Sequence, residues 1–211
     1  RQDGDLPERD CDMILEGNER VMFVELKKCP LPGSYEQAND VDVLSALGAG
    51  MLYAQEQILW HKLRLKEKGV LALYDKEGNH IQDYKPVIAM SICMPEYDFL
   101  TDRMMTETFL ESILRVTYHA IDPSQEKKLD KLNKRTENIR MVTARLFDGM
   151  KYTTRDVFYN SLFRSLQQVW TMLRVCDSLD AFLDMSETQL LMITGAGDVY
   201  VDILNALKLK G

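Results

Sequence analysis

Two short apolar runs near the amino terminus, residues 11–15 and 20–26, are separated by the polar tetrapeptide Glu16-Gly17-Asn18-Glu19. Strands that alternate around a Gly-Asn turn form antiparallel hairpins, with Gly and Asn supplying positive φ. The alternation places Val21, Phe23, Glu25 and Lys27 on one side of the second strand and Met22, Val24 and Leu26 on the other. Cys29-Pro30-Leu31-Pro32-Gly33 breaks that strand. Ser34 with Gln37 reads as a capping box opening a long helix that ends near Lys68-Gly69. Leu44, Leu47, Met51, Ala54, Ile58 and Leu65 mark its apolar face. Gly48 and Gly50 weaken it locally and allow close packing on a sheet.

Strand signals return at 70–74 and 86–95, the second holding the apolar run 87–93 expected of a strand buried on both faces. Beyond Pro95 the periodicity becomes helical, over 102–120, 124–147, 154–176 and 198–208. Val157, Leu162, Leu166, Val169, Leu173 and Cys176 trace one stripe along the third of these, read as core or as a subunit contact. The pattern predicts an α/β protein: a core over 1–100 and a mostly helical half over 101–211, packed on the core as one domain.

The 211 residues are 45% hydrophobic and 28% charged, a balance that excludes global disorder. No apolar run approaches the ~18–20 residues of a membrane helix, so no membrane partner is expected. The opening Arg-Gln-Asp-Gly-Asp is neither a signal peptide nor an initiator start, which suggests a piece of a longer polypeptide. Cys11, Cys29, Cys93 and Cys176 are widely spaced without a CxxC pair, and read as reduced cytoplasmic thiols rather than disulfides or a zinc site. His61, His80 and His119 are likewise read as structural or exposed. The net charge of −7 argues against a general nucleic-acid coat and leaves room for a local binding face.

The chemistry lies in the hairpin. Asp12 stands at the start of its first strand, and Glu25 and Lys27 alternate on one face of its second. Converging carboxylates repel one another, and a hard divalent cation offsets that repulsion while leaving positions for phosphate oxygens. A neighbouring ammonium can orient water or stabilise developing charge. The competing reading is a solvated hairpin edge with Asp12 capping a turn. Asp10 is an alternative carboxylate two residues earlier.

An aspartate followed across a hairpin by Glu25-Leu26-Lys27 resembles the bipartite motif of the PD-(D/E)XK nuclease superfamily, the restriction-endonuclease-like enzymes. The resemblance covers 10–27 and extends loosely to the strand at 87–93. It implies a mixed sheet flanked by helices and cleavage of nucleic acid, DNA before RNA, in phage defence or DNA repair. It further implies Mg²⁺ or Mn²⁺ held by Asp12, Glu25 and the main-chain carbonyl of Leu26, with Lys27 activating water. The alternative is an inactive scaffold or protein-interaction module of the same fold. No proline precedes Asp12, and the helix and strand that open the family's core are missing or truncated, since eleven residues precede it. Gln55 and Gln57 lie on the helix where some relatives carry a functional glutamine.

Residues 127–151 carry eight basic side chains against three acidic ones. Lys127, Lys131 and Lys134 share a helix face, with Lys128 and Arg135 beside it, making a ridge that could track a phosphate backbone. The helical half is also the expected surface for a homodimer. Lys62, Arg64, Lys66 and Lys68 spread over several faces and read as solvated, and Gly195-Ala196-Gly197 reads as a turn.

Overall fold

The computed structural model describes residues 10–28, 40–68, 86–94, 96–191 and 197–210. The capping box at Ser34, the strand at 70–74, Cys29, His80 and residues 195–196 lie outside them.

β1 (Met13–Glu16) and β2 (Val21–Lys27) form the antiparallel hairpin, in a register that sets Met13 against Val24. β3 (Val87–Cys93) and β4 (Ser161–Ser165) extend the sheet in parallel, in the order β1-β2-β3-β4. Alternation along β2 divides two cores. Phe23 and Val21 face one side with Leu65. Met22 and Val24 face the other with Met90, Leu162 and Phe182. On the Phe23 side lie α1 (Asp40–Leu47), α2 (Tyr53–Lys68), α3 (Arg103–Leu114), α4 (Glu126–Leu146) and the short α5 (Thr154–Phe158). On the opposite side lie α6 (Leu166–Val175), α7 (Leu179–Leu191) and α8 (Val199–Lys210). The result is an α/β fold whose mixed sheet lies between two helical layers.

The expected hairpin and the strand at 87–93 are present, and several other elements differ from the sequence reading. Gly17 does not have positive φ. Its need is for space, because a Cβ there would stand 2.4 Å from Asp180 Oδ1 and 2.5 Å from Leu183 Cδ1. The hairpin tip is thus docked on α7, where Asp180 also accepts the Asn18 N–H at 2.8 Å. The long helix contains a π-helical turn over Gly48–Leu52. Gly48 packs there against Leu132 of α4, not against the sheet.

The helix expected over 102–120 starts at the Asp102 cap and stops at Leu114. Asn133 receives the Tyr118 N–H and donates to the Tyr118 carbonyl, so the following chain is bonded to α4 instead of continuing the helix. The single helix expected over 154–176 is two helices around β4. Asn160 starts the strand by accepting the Ala89 N–H and donating to the Val87 carbonyl. Leu162 and Phe163 then enter opposite cores. A capping box of Ser165 and Gln168 opens α6. The apolar stripe therefore dissolves: Val157, Leu162 and Val169 are buried, while Leu166 and Leu173 are about half exposed beside a groove next to Leu26. α7 was not foreseen. Because β4 belongs to the sheet, residues 101–211 complete the core of the first hundred.

Arg164 joins the layers from β4. Its guanidinium is buried and donates to the carbonyls of Thr101 and Phe163 and to Gln189 Oε1 of α7. Burial lowers its pKa to about 10, opposed by the charges of Asp202 and Asp102. Truncating one member of a buried charged network strands the others. Arg164→Ala is expected to lower unfolding free energy by about 3–5 kcal/mol. Urea denaturation checks this, with the midpoint falling and the slope unchanged.

Candidate metal and catalytic site

Alternation along β2 turns Phe23, Glu25 and Lys27 toward α2, and the hairpin register carries Asp12 to the position across from Glu25. β1 begins one residue later, at Met13. Asp12 sits in a bend, and its carboxylate accepts the Leu26 N–H at 2.8 Å. Lys27 Nζ lies 2.9 Å from Glu25 Oε2 and 3.6 Å from Asp12 Oδ2. The two acids and the ammonium group therefore meet at one point. Exposure falls steeply across it, from 40% for the Asp12 side chain through 10% for Lys27 to 0% for Glu25.

Burial raises the Asp12 pKa, but the Leu26 N–H, the Lys27 charge and a hydrogen bond with Glu25 outweigh that effect and hold the carboxyl below its ordinary value. Asp10, the alternative carboxylate, is exposed and precedes this bend. Leu26 contributes its N–H, while its side chain is 46% exposed toward the groove on the other sheet face.

α2 covers the site with polar groups at positions that a helix on a sheet would usually fill with hydrocarbon. Gln55 is buried and donates to Ser91 Oγ at 3.3 Å, and Ser91 is the β3 partner of Glu25. Gln57, two residues further along the helix, is half-buried. His61 is 5% exposed, its ring centroid 5.6 Å from that of Phe23, and its Nε2 lies 3.6 Å from Glu25 Oε1. Both of those atoms are buried without a hydrogen-bond partner, as is Gln55 Oε1.

Cys11 turns to the same side, packing beside Phe23 with its Sγ 3.3 Å from the Met13 carbonyl. Burial and the Glu25 charge push its thiol up to about 11. Cys11, Glu25 and His61 each offer one metal-ligating atom, and these atoms lie within 4.8 Å of one another. The sequence reading took Cys11 as a reduced thiol and His61 as structural or exposed; the fold buries His61 and brings both residues beside Glu25. The available signal was spacing: His61 falls three residues after Ile58 and four before Leu65, on the apolar face of its helix.

The basic ridge divides. Lys127, Lys128, Lys131 and Lys134 are exposed on α4, and Lys128 pairs with Asp42. Arg135 instead turns inward, with its guanidinium carbon 3.8 Å from the centroid of the Tyr53 ring and a nitrogen 3.5 Å from Glu56 Oε2. Lys27 Nζ lies 4.9 Å from the centroid of that same ring. One aromatic ring thus links the site lysine to the basic helix.

Because the folded pKa of Asp12 is depressed, its ionised form contributes stability above its unfolded pKa, and that contribution is lost as pH falls through the folded value. Asp12→Asn keeps an oxygen for the Leu26 N–H and removes the charge. The stability difference between native protein and variant is expected to stay constant near neutrality and to shrink below about pH 4. Urea unfolding at a series of pH values checks it. Searches with this chain found no matching protein-family model, curated protein or solved structure.

Proposed function

We propose that this protein is a metal-dependent phosphodiesterase acting on nucleic acid, DNA in the first instance, with Asp12, Glu25 and Lys27 as its catalytic group. The observation that carries the reading is the convergence of the three side chains, with Lys27 Nζ 2.9 Å from Glu25 and 3.6 Å from Asp12. Side chains serving only as a solvated hairpin edge would not bury Glu25 completely. The α/β architecture, with an antiparallel hairpin and two further parallel strands, is compatible with the restriction-endonuclease-like arrangement.

The donor set suits a hard cation, since two carboxylates of opposed strands face one point. Asp12, Glu25 and the Leu26 carbonyl would hold Mg²⁺ or Mn²⁺. When bound, such an ion lowers the pKa of water and offsets charge on the phosphorus. Lys27, held between the carboxylates and the Tyr53 ring, would orient a water and neutralise developing negative charge. Asp12 supplies the solvent-facing side by which a phosphodiester would approach. The exposed lysines of α4 provide a backbone contact surface, and Arg135 and Tyr53 connect it to the site. A second reading, an inactive scaffold of the same fold, is favoured by the bonds Asp12 already makes to Leu26 and Lys27.

With Mg²⁺ or Mn²⁺ present, Asp12→Ala and Lys27→Ala are each expected to reduce cleavage of DNA by about 10²–10³-fold or more while circular dichroism stays native. A panel of single- and double-stranded DNA and RNA checks this, and unchanged cleavage rejects the assignment. Replacing Lys127, Lys131 and Lys134 with glutamine is expected to weaken DNA binding. The slope of log affinity against log salt should become shallower by about 0.9 per lost phosphate contact. Fluorescence anisotropy at several salt concentrations measures it.

A further inference from the structure

The two oxygens of Glu25 face different chemistry. Oε2 is bonded to Lys27, on the side where Asp12 stands. Oε1 faces His61 Nε2 at 3.6 Å, beyond hydrogen-bonding reach, and neither atom has a hydrogen-bond partner although both are buried. Buried polar atoms are rarely left so, because each forfeits its hydration. Cys11 Sγ completes the group, with the three ligating atoms within 4.8 Å of one another.

We propose that Cys11, Glu25 and His61 form a binding site for a borderline transition-metal ion, Zn²⁺ in the first instance, distinct from the hard-cation reading of Asp12 and Glu25. A thiolate, an imidazole and a carboxylate are the ligands that Zn²⁺ selects, whereas Mg²⁺ takes oxygen. In a tetrahedral zinc site the ligating atoms lie about 3.3–3.6 Å apart. The His61–Glu25 separation of 3.6 Å already meets that spacing. Cys11, half-buried just ahead of β1, would leave its contacts with the Met13 and Val24 carbonyls to close the rest.

Lys27 bonds the second oxygen of Glu25 and fixes the carboxylate from outside, a usual role for groups behind a metal ligand. Three protein ligands leave a fourth position for water or a small ligand, the pattern of reactive rather than purely structural zinc sites. Cys11 and His61 take no part in the nuclease reading, so this site stands even if that reading fails.

The test uses the full chain, stripped of metal with a chelator and titrated with Co²⁺. One equivalent is expected to bind with sulfur-to-cobalt charge-transfer absorption and tetrahedral d–d bands, and Zn²⁺ should bleach both. Cys11→Ser removes the charge-transfer band. His61→Ala weakens binding at least about tenfold. Asp12→Asn retains the spectrum while losing any Mg²⁺-dependent cleavage, which separates the two readings. Zn²⁺ raises the melting temperature of the native chain but not of Cys11→Ser. That comparison, with far-ultraviolet circular dichroism, distinguishes a lost ligand from a lost fold. The proposal is overturned if the native chain shows no thiolate band, or if the band survives Cys11→Ser and disappears in Cys29→Ser, Cys93→Ser or Cys176→Ser.

Discussion

A carboxylate buried near the end of an inner strand is the constraint on which the site depends. Glu25 is fully enclosed, and an ionised group in that position loses several kcal/mol of hydration unless partners replace the water. Lys27 supplies that replacement on one oxygen and lies against Tyr53. Tyr53 in turn holds Arg135, and Arg135 pairs with Glu56 of α2. Asn138 also donates to Glu56, at 2.9 Å. A chain of polar contacts thus runs from the sheet through the Tyr53 ring to α4, beside the apolar contact of Leu59 and Leu63 with Leu132 and Ile139 that packs α2 on α4. α2 brings Gln55 and His61 to the same region, where apolar residues would have packed with less penalty.

The two faces of the sheet solve different problems. On the α2 side, polar groups gather in one row, with Glu25 and Ser91 adjacent across β2 and β3. On the other side the strands present Met22, Val24, Ile88 and Met90 to α6, α7 and α8. Arg164 is a buried charge of that second face. Its guanidinium is saturated by carbonyls and an amide, while Oε1 of Glu25 and Nε2 of His61 have no hydrogen bond. A charge in a core that is fully satisfied serves cohesion. The approach of Glu25 Oε1 to His61 Nε2 at 3.6 Å without a hydrogen bond is the observation on which the proposed zinc site rests.

Strand β4 shows how tertiary contacts override local preference. Residues 161–165 lie within a stretch whose spacing suits a helix, and their apolar side chains satisfy either period. The outcome was decided by an open edge on β3, since Ala89 N–H finds its acceptor in Asn160, and pairing then runs from Ala89–Ser161 to Cys93–Ser165. Asn133 acts similarly on the end of α3 by capturing both backbone groups of Tyr118. A single chain pattern cannot report either event, because each depends on a donor or acceptor far away in sequence.

The hairpin, the face shared by Glu25 and Lys27, and the arrival of Asp12 opposite them are legible in the chain alone. All three follow from the two-residue period of a strand and a short turn. So are the apolar β3 and the basic exposed face of α4, which are local properties of composition. The burial of Glu25, the inward turn of Arg135, and the meeting of Cys11 and His61 beside the Glu25 carboxylate come from long-range packing. Cys11 and His61 are fifty residues apart, so no spacing rule connects them. Their meeting depends on how α2 lies across the sheet, an orientation set by packing on both sides of the helix rather than by its own sequence.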